Sequence, residues 1–146
     1  MSTRDASATE LLVRKALQAL EDIDFDRYMA LWHEECRVEY PTHLPQMPGV
    51  IIGKASLGEH NQRAFHNIDH REIRDLTVRP LADPGFALAE FVLAQSFGGG
   101  AGSFEGRVCV IFGARDGKLD SMREYIDTRL LSEAISAYDK MAAKAS

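Results

Sequence analysis

The feature that most constrains the fold is a hairpin pattern between Phe104 and Leu131. Two runs of strand-forming residues flank the dipeptide Asp116-Gly117, which tolerates the positive φ angles that a two-residue type I′ turn requires. A turn of that length fixes the register of the strands and would place Cys109 opposite Glu124. The sequence therefore predicts a tight antiparallel hairpin in this region.

This register sorts the hairpin side chains onto two faces, because successive residues of a strand point to opposite sides. Glu124 would then lie among mostly apolar neighbours, with Arg107 diagonally across from it. A carboxylate in such surroundings is either half of a structural ion pair or a working acid or base. The Glu124 face would carry Arg107, Cys109, Ile111, Met122, Glu124 and Ile126, and the other face Val108, Val110, Phe112, Leu119, Arg123 and Tyr125.

The composition is that of an ordinary globular protein, with 146 residues of which 45% are hydrophobic and 27% charged. A net charge of −5 argues against nucleic acid as a partner, since phosphate binding needs a concentrated basic patch. No apolar run is long enough to predict a membrane-spanning helix, and the polar N-terminus lacks the apolar segment of a secretion signal. Cys36 and Cys109 do not make a disulfide framework, so we expect reduced thiols in a cytoplasmic protein.

The first half of the chain is mainly helical in pattern. Ser7 and Glu10 have the spacing of a capping box at the start of a first helix, and Asp24 is a candidate N-cap for a second. A third helix is predicted from about Lys54 to His66. Within it, His60 shares a face with the apolar residues that should point inward.

The remaining segments have strand and loop patterns. Glu34 to Tyr40 alternates like a strand, and Pro41 to Gly49 holds three prolines, which is typical of a loop that borders a binding site. Arg71 to Leu81 and Phe86 to Phe97 are predicted strands, joined through a glycine-rich connection to the hairpin. After Asp127 the helical pattern returns.

Helices gathered before a run of antiparallel strands indicate an α+β fold. We predict a single domain spanning residues 1–146, with frayed termini at 1–6 and 140–146. Its curved antiparallel sheet would pack against three N-terminal helices, and a central pocket would lie between them.

This order of elements resembles the cone-shaped fold of the nuclear-transport-factor-two-like superfamily, which includes ketosteroid isomerases and SnoaL-like polyketide cyclases. The segment DGKLDSMREYIDTRLL is similar to the closing hairpin and strand of that superfamily. The segment IIGKASLGEH resembles a G-K-x-x-L-x-E-H stretch of the phenazine-biosynthesis A/B proteins. This closer resemblance runs from about Glu34 to the final helix.

The resemblance implies catalytic positions. In the phenazine A/B proteins a glutamate of the last strand acts as the acid and a histidine on the pocket helix assists, and these positions correspond to Glu124 and His60. A serine that follows the histidine by one helical turn in that family is Ala64 here. The family's pocket tyrosine falls near Ser103 or Phe104, which carry no phenol. We therefore expect a small-molecule substrate other than the phenazine precursor.

The implied function is a cofactor-independent acid/base enzyme of the isomerase, cyclase, dehydratase or condensing type. It would act on a small apolar carbonyl or imine metabolite, in secondary metabolism. The alternative is a non-catalytic ligand-binding or dimerisation module of the same fold. No metal site is predicted. Predicted substrate contacts are Arg107, Glu90, His43, Trp32, Phe65, Met122, Ile126 and Ile111, for which the structural alternatives are core packing or solvated strand positions.

We also expect a homodimer that forms through the outer face of the sheet. The second hairpin face defined above is too apolar to be stable in water if it is exposed. Light scattering at micromolar protein concentration tests this prediction, and a monomer would contradict it.

Overall fold

The computed structural model describes residues 6–145, in which four helices pack against one curved, six-stranded sheet. The strand order is β2-β1-β6-β5-β4-β3, and β1 runs parallel to β6 while the other neighbours are antiparallel. The predicted α+β class is confirmed, although the sheet is mixed rather than wholly antiparallel. The elements are α1 (Ala8–Glu21), α2 (Phe25–Ala30), β1 (Trp32–Glu39), β2 (Val50–Ile52), α3 (Lys54–His66), β3 (Ile68–Pro80), β4 (Phe86–Phe97), β5 (Gly102–Arg115), β6 (Lys118–Ile126) and α4 (Thr128–Ala145).

The predicted helix starts are confirmed by their capping contacts. The Ser7 hydroxyl accepts a hydrogen bond from the Glu10 backbone N–H at 3.1 Å, and the Glu10 side chain completes the capping box. Asp24 accepts from the backbone N–H of Arg27, also at 3.1 Å, at the start of α2. Each such cap typically contributes about 1 kcal/mol of helix stability.

The turn at the tip of the hairpin is confirmed, because Asp116 and Gly117 have φ angles of 53° and 75°. Arg115 pairs with Lys118 across this turn. Both central residues therefore adopt the left-handed conformation that a type I′ turn needs.

The register beyond the turn differs from the predicted one. Ala114 lies opposite Leu119 but Gly113 lies opposite Ser121, so that Asp120 is an extra residue in β6. This β-bulge shifts every later pair by one position. A Cβ atom on Gly113 would lie 2.3 Å from the Ser121 hydroxyl and 2.9 Å from the Phe86 ring, so a larger residue here would force these side chains to move.

The predicted pairing of Cys109 with Glu124 is therefore wrong. Glu124 lies opposite Val110, and Cys109 lies opposite Tyr125. On β6 the alternation after the bulge still keeps Met122, Glu124 and Ile126 on one face. On β5, however, Val108, Val110 and Phe112 share that face instead of Arg107, Cys109 and Ile111. The buried side chains of the hairpin are Val108, Val110, Phe112, Leu119 and Met122.

In the observed register, most of the apolar hairpin face from which the homodimer was predicted is buried. Four of the five apolar side chains assigned to that face are buried, and among these five only Tyr125, at 39% exposure, faces outward. Homodimerisation stays a prediction, without the apolar surface from which it was inferred.

The remaining boundaries agree closely with the sequence patterns. Helix α3 has the predicted limits, and the segment between β1 and β2 is a loop. Trp32 opens β1 rather than closing α2, and its ring is fully buried. Helix α4 continues to Ala145, further than predicted, whereas the predicted fraying at residues 1–5 and 146 falls outside the described residues. In the described part of the chain, no helix has the length and apolar character needed to cross a membrane.

Candidate active site

A cavity of about 400 Å³ lies between the helices and the sheet, and its walls are mainly apolar. Cavities of this size and character hold small organic ligands. The polar side chains that reach it come from several different elements. These are Tyr28 of α2, Tyr40 after β1, His60, Asn61 and Arg63 of α3, Asn67 after α3, Arg71 of β3, Gln95 of β4, Glu124 of β6 and Tyr138 of α4.

Glu124 points into this cavity together with Met122 and Ile126, which alternate with it on the same face of β6. Loss of contact with water raises the pKa of its carboxyl to about 7, and the positive charge of Arg71 opposes this shift only in part. Within the described residues, Glu124 forms no ion pair. The structural ion pair with Arg107 that the sequence left open is excluded, since the two side chains lie on opposite faces of the sheet.

Arg71 supplies a positive charge to the same cavity. Its Nη1 donates to the Leu20 carbonyl oxygen at 2.8 Å and its Nε donates to Gln95 Oε1 at 3.2 Å. The centre of the guanidinium lies 5.0 Å from the centroid of the Phe65 ring, within the range of a cation–π contact. Burial lowers the pKa of Arg71 to about 10, so the side chain is still charged at neutral pH.

Two buried phenols, Tyr28 and Tyr40, also line the cavity. Burial and the negative charge of Glu124 raise the pKa of both hydroxyl groups above the ordinary tyrosine value. Both therefore remain protonated at neutral pH and can donate hydrogen bonds.

His60 reaches the cavity from α3, where it is half-buried. Burial lowers the pKa of the imidazole, and the nearby charge of Arg63 lowers it further. Its ring lies 5.8 Å from the ring of Tyr40, measured between centroids. A neutral imidazole can donate or accept a hydrogen bond, so His60 and Glu124 bring two groups that handle protons to one cavity.

The other residues predicted from the sequence fall into two groups. Phe65, Met122 and Ile126 line the cavity as expected. Trp32 lies behind the wall, in edge-to-face contact with Tyr28. His43 is not part of the lining. Its Nδ1 lies 2.9 Å from the Tyr40 carbonyl oxygen and its ring packs against Gly49, and these two contacts connect the ends of the loop before β2.

Glu90, Arg107 and Ile111 lie on the outer face of the sheet, and their predicted place in the pocket is wrong. Glu90 lies opposite Cys109, and the residues on either side of Glu90 in β4, Ala89 and Phe91, point inward. Arg107 lies opposite Val92. The cause is the bulge at Asp120, which exchanges the two faces of β5 relative to β6. Glu90 and Arg107 are both exposed.

Sequence reasoning missed Arg71 and gave no site role to either phenol. Arg71 and Ile73 are two residues apart on β3, so their side chains lie on the same face of the strand. Because Ile73 is a partly buried core residue, this spacing indicates an inner position for Arg71. Tyr40 is likewise in phase with the buried Cys36 and Val38. The signal was present in both cases, although charged and phenolic side chains on strands more often face solvent.

The described residues contain no group of three His, Cys, Asp or Glu side chains placed to hold a metal ion. Cys36 and Cys109 are free thiols, and burial raises the pKa of each. Neither cysteine is in the cavity lining.

A model of the SnoaL-like domain matches residues 13–122, which is most of the chain. The protein belongs to this family. The resemblance inferred from the hairpin and helix motifs is confirmed at the level of the family and its fold. No curated protein matches the chain.

Solved structures similar to this SnoaL-like domain include three whose names describe enzymes or biosynthetic proteins. A putative isomerase from Bacillus subtilis has a TM-score of 0.81 and 22% identity, over 89% of this chain and 94% of that chain. A phenazine biosynthesis-related protein from Pseudomonas aeruginosa has a TM-score of 0.67 and 24% identity, covering 86% and 88%. A Δ5-3-ketosteroid isomerase from Mycobacterium sp. has a TM-score of 0.74 and 17% identity, covering 86% and 97%. At these identities the likeness shows a shared fold.

The raised pKa of Glu124 predicts how stability changes with pH. The folded protein holds this proton more tightly than the unfolded chain, whose carboxyl has a pKa near 4.5, so protonation favours the folded state. That contribution is complete below about pH 4.5 and is lost as the pH rises through about 7. Relative to Glu124→Gln, the wild type should lose up to roughly 3 kcal/mol of unfolding free energy over this interval.

Urea unfolding of both proteins between pH 5 and pH 8 measures this difference. Glu90→Gln is the matched control, because it removes an exposed carboxylate from the outer face of the neighbouring strand. Its unfolding free energy should stay within about 0.5 kcal/mol of the wild type across the range. A difference between wild type and Glu124→Gln that does not change with pH would contradict the burial of this carboxyl.

Proposed function

We propose that this SnoaL-like domain is an acid/base enzyme that transfers a proton on a small, largely apolar substrate with a carbonyl or imine group. Glu124 carries the proton, and no bound cofactor takes part. The observation that supports this most directly is a carboxyl group without an ion-pair partner among the described residues, inside an apolar cavity.

A pKa of about 7 suits this role, because both protonation states are populated at neutral pH. Ionised Glu124 can remove a proton from a carbon next to the carbonyl or imine. The resulting acid can return the proton to another atom of the same molecule, which is an isomerisation, or to a leaving hydroxyl, which is a dehydration. Cyclisation and condensation use the same first step.

The other polar groups would position the substrate. When a proton leaves the carbon, negative charge develops on the carbonyl oxygen, which hydrogen-bond donors stabilise. The protonated phenols of Tyr28 and Tyr40 and the neutral imidazole of His60 are donors that line the cavity. We assign His60 to orienting or polarising the substrate.

The similar structures support this chemistry without identifying the substrate. Two of them are named as isomerases, and one of these is named for a ketosteroid, an apolar carbonyl compound. Another is named for phenazine biosynthesis, which favours a role in secondary metabolism. The cavity of about 400 Å³ admits a molecule of two or three fused rings.

A substrate-independent reaction tests whether Glu124 works as a base. Nitrobenzisoxazole is planar and apolar, and its ring opens when a base removes one C–H proton and the N–O bond breaks. Glu124→Gln should lower kcat/KM for this reaction by about 100-fold or more, the usual contribution of a positioned base. The rate of the wild type should rise with pH and level off above about 7.

The control is Glu90→Gln, which should stay within about twofold of the wild type, since Glu90 lies outside the cavity. Equal rates for wild type and Glu124→Gln would refute the catalytic assignment. If an apolar fluorescent dye then bound both proteins equally, the alternative of a non-catalytic binding module would be favoured instead.

A further inference from the structure

Arg71 is held in place before any ligand arrives. Three elements fix its guanidinium: the carbonyl oxygen of Leu20 near the end of α1, the side-chain oxygen of Gln95 on β4, and the ring of Phe65 on α3. A planar guanidinium fixed in this way loses little further freedom when it binds a ligand, which favours affinity.

These contacts use only part of its hydrogen-bonding capacity. A guanidinium has five N–H groups, and two of them donate to the acceptors just named. The remaining three have no acceptor among the described residues, and Arg71 lines the cavity. The free donors are therefore on a side chain that borders the space a substrate would fill.

The charge of Arg71 is also unpaired within the described residues. Its neighbour on the same strand, the exposed Arg74, pairs with the carboxylate of Glu105. No described carboxylate lies within the 4.0 Å of an ion pair with Arg71, and Glu124 influences it without contact. An unpaired cation in a mainly apolar cavity is costly, so the site favours a ligand that brings a negative charge.

We propose that Arg71 binds a carboxylate of the substrate, so that this enzyme acts on an apolar carboxylic acid. Nη1 keeps one free N–H group and Nη2 keeps two, and a pair of them can meet the two oxygens of a carboxylate in a bidentate contact. With that end fixed, the apolar body would lie along Phe65 and the sheet, where Glu124 reaches the reacting carbon. This inference rests on the proposed acid/base function and adds the class of substrate.

The bound carboxylate would also affect the proton on Glu124. The titratable and charged groups that line this space are Glu124, Arg71, Arg63, Tyr28, Tyr40, Tyr138 and His60. A second negative charge in the cavity disfavours the ionised form of Glu124, so the ligand should bind together with a proton. The complex then contains the arginine cation, the ligand anion and a neutral glutamic acid.

Calorimetry with 2-naphthoate and its neutral carboxamide tests the proposal. The wild type should bind the carboxylate at least tenfold more tightly than the carboxamide at pH 7.5. Arg71→Gln should abolish this preference while it still binds the carboxamide, which shows that the cavity remains folded. Arg79→Gln is the matched control, since it removes an exposed arginine from the far end of the same strand and should keep the preference.

Glu124→Gln separates this inference from the proposed function. It should lose base-catalysed ring opening of nitrobenzisoxazole but keep the preference for the carboxylate. Titrations in two buffers of different ionisation enthalpy should show proton uptake for the wild type and none for Glu124→Gln. The proposal is overturned if the wild type binds both ligands equally, if it fails to bind naphthoate at millimolar concentration, or if Arg71→Gln retains the preference.

Discussion

The bulge at Asp120 determines which side chains of the hairpin face the helices. One extra residue in β6 brings Gly113 opposite Ser121 and sets the register of the rest of the pair. Because a shift of one residue exchanges the faces of a strand, Val108, Val110 and Phe112 enter the core instead of facing outward. Without the bulge, the acid of β6 would share its face with Arg107 rather than with this apolar layer. The isolation of Glu124 thus depends on the local geometry of the turn region.

The chemistry of the site follows from two opposite charges, those of Arg71 and Glu124, which influence each other without forming an ion pair. A direct ion pair between Arg71 and Glu124 would lower the pKa of the carboxyl and leave it permanently ionised. Instead Arg71 is held by Leu20, Gln95 and Phe65, and loss of water remains the main influence on Glu124. Each group therefore keeps free capacity, the carboxyl for a proton and the guanidinium for an anion. The folded protein retains this arrangement at a cost in stability, which is common where function requires buried charge.

Local sequence patterns were enough to predict the helix caps, the helix limits and the hairpin turn, because these depend on residues that are near in the chain. The caps at Ser7 and Asp24, the limits of α3 and the turn at Asp116-Gly117 all follow from neighbouring residues. The bulge at Asp120 did not, because the residues of the turn do not by themselves determine the register of the two strands beyond it. The burial of Arg71 depends on Leu20, 51 residues earlier in the chain, and strand pattern alone does not show that partner. Glu124 and His60 were paired through resemblance to a family, and the fold brings both to one cavity.

The Glu124 carboxyl is largely removed from water, and carbon-13 NMR of labelled glutamate side chains tests this directly. The signal that disappears in Glu124→Gln identifies the group. Its chemical shift should titrate with a midpoint near pH 7. A midpoint near 4.5, the value of an ordinary glutamate, would show that the carboxyl is solvated and would rule out its burial in the cavity.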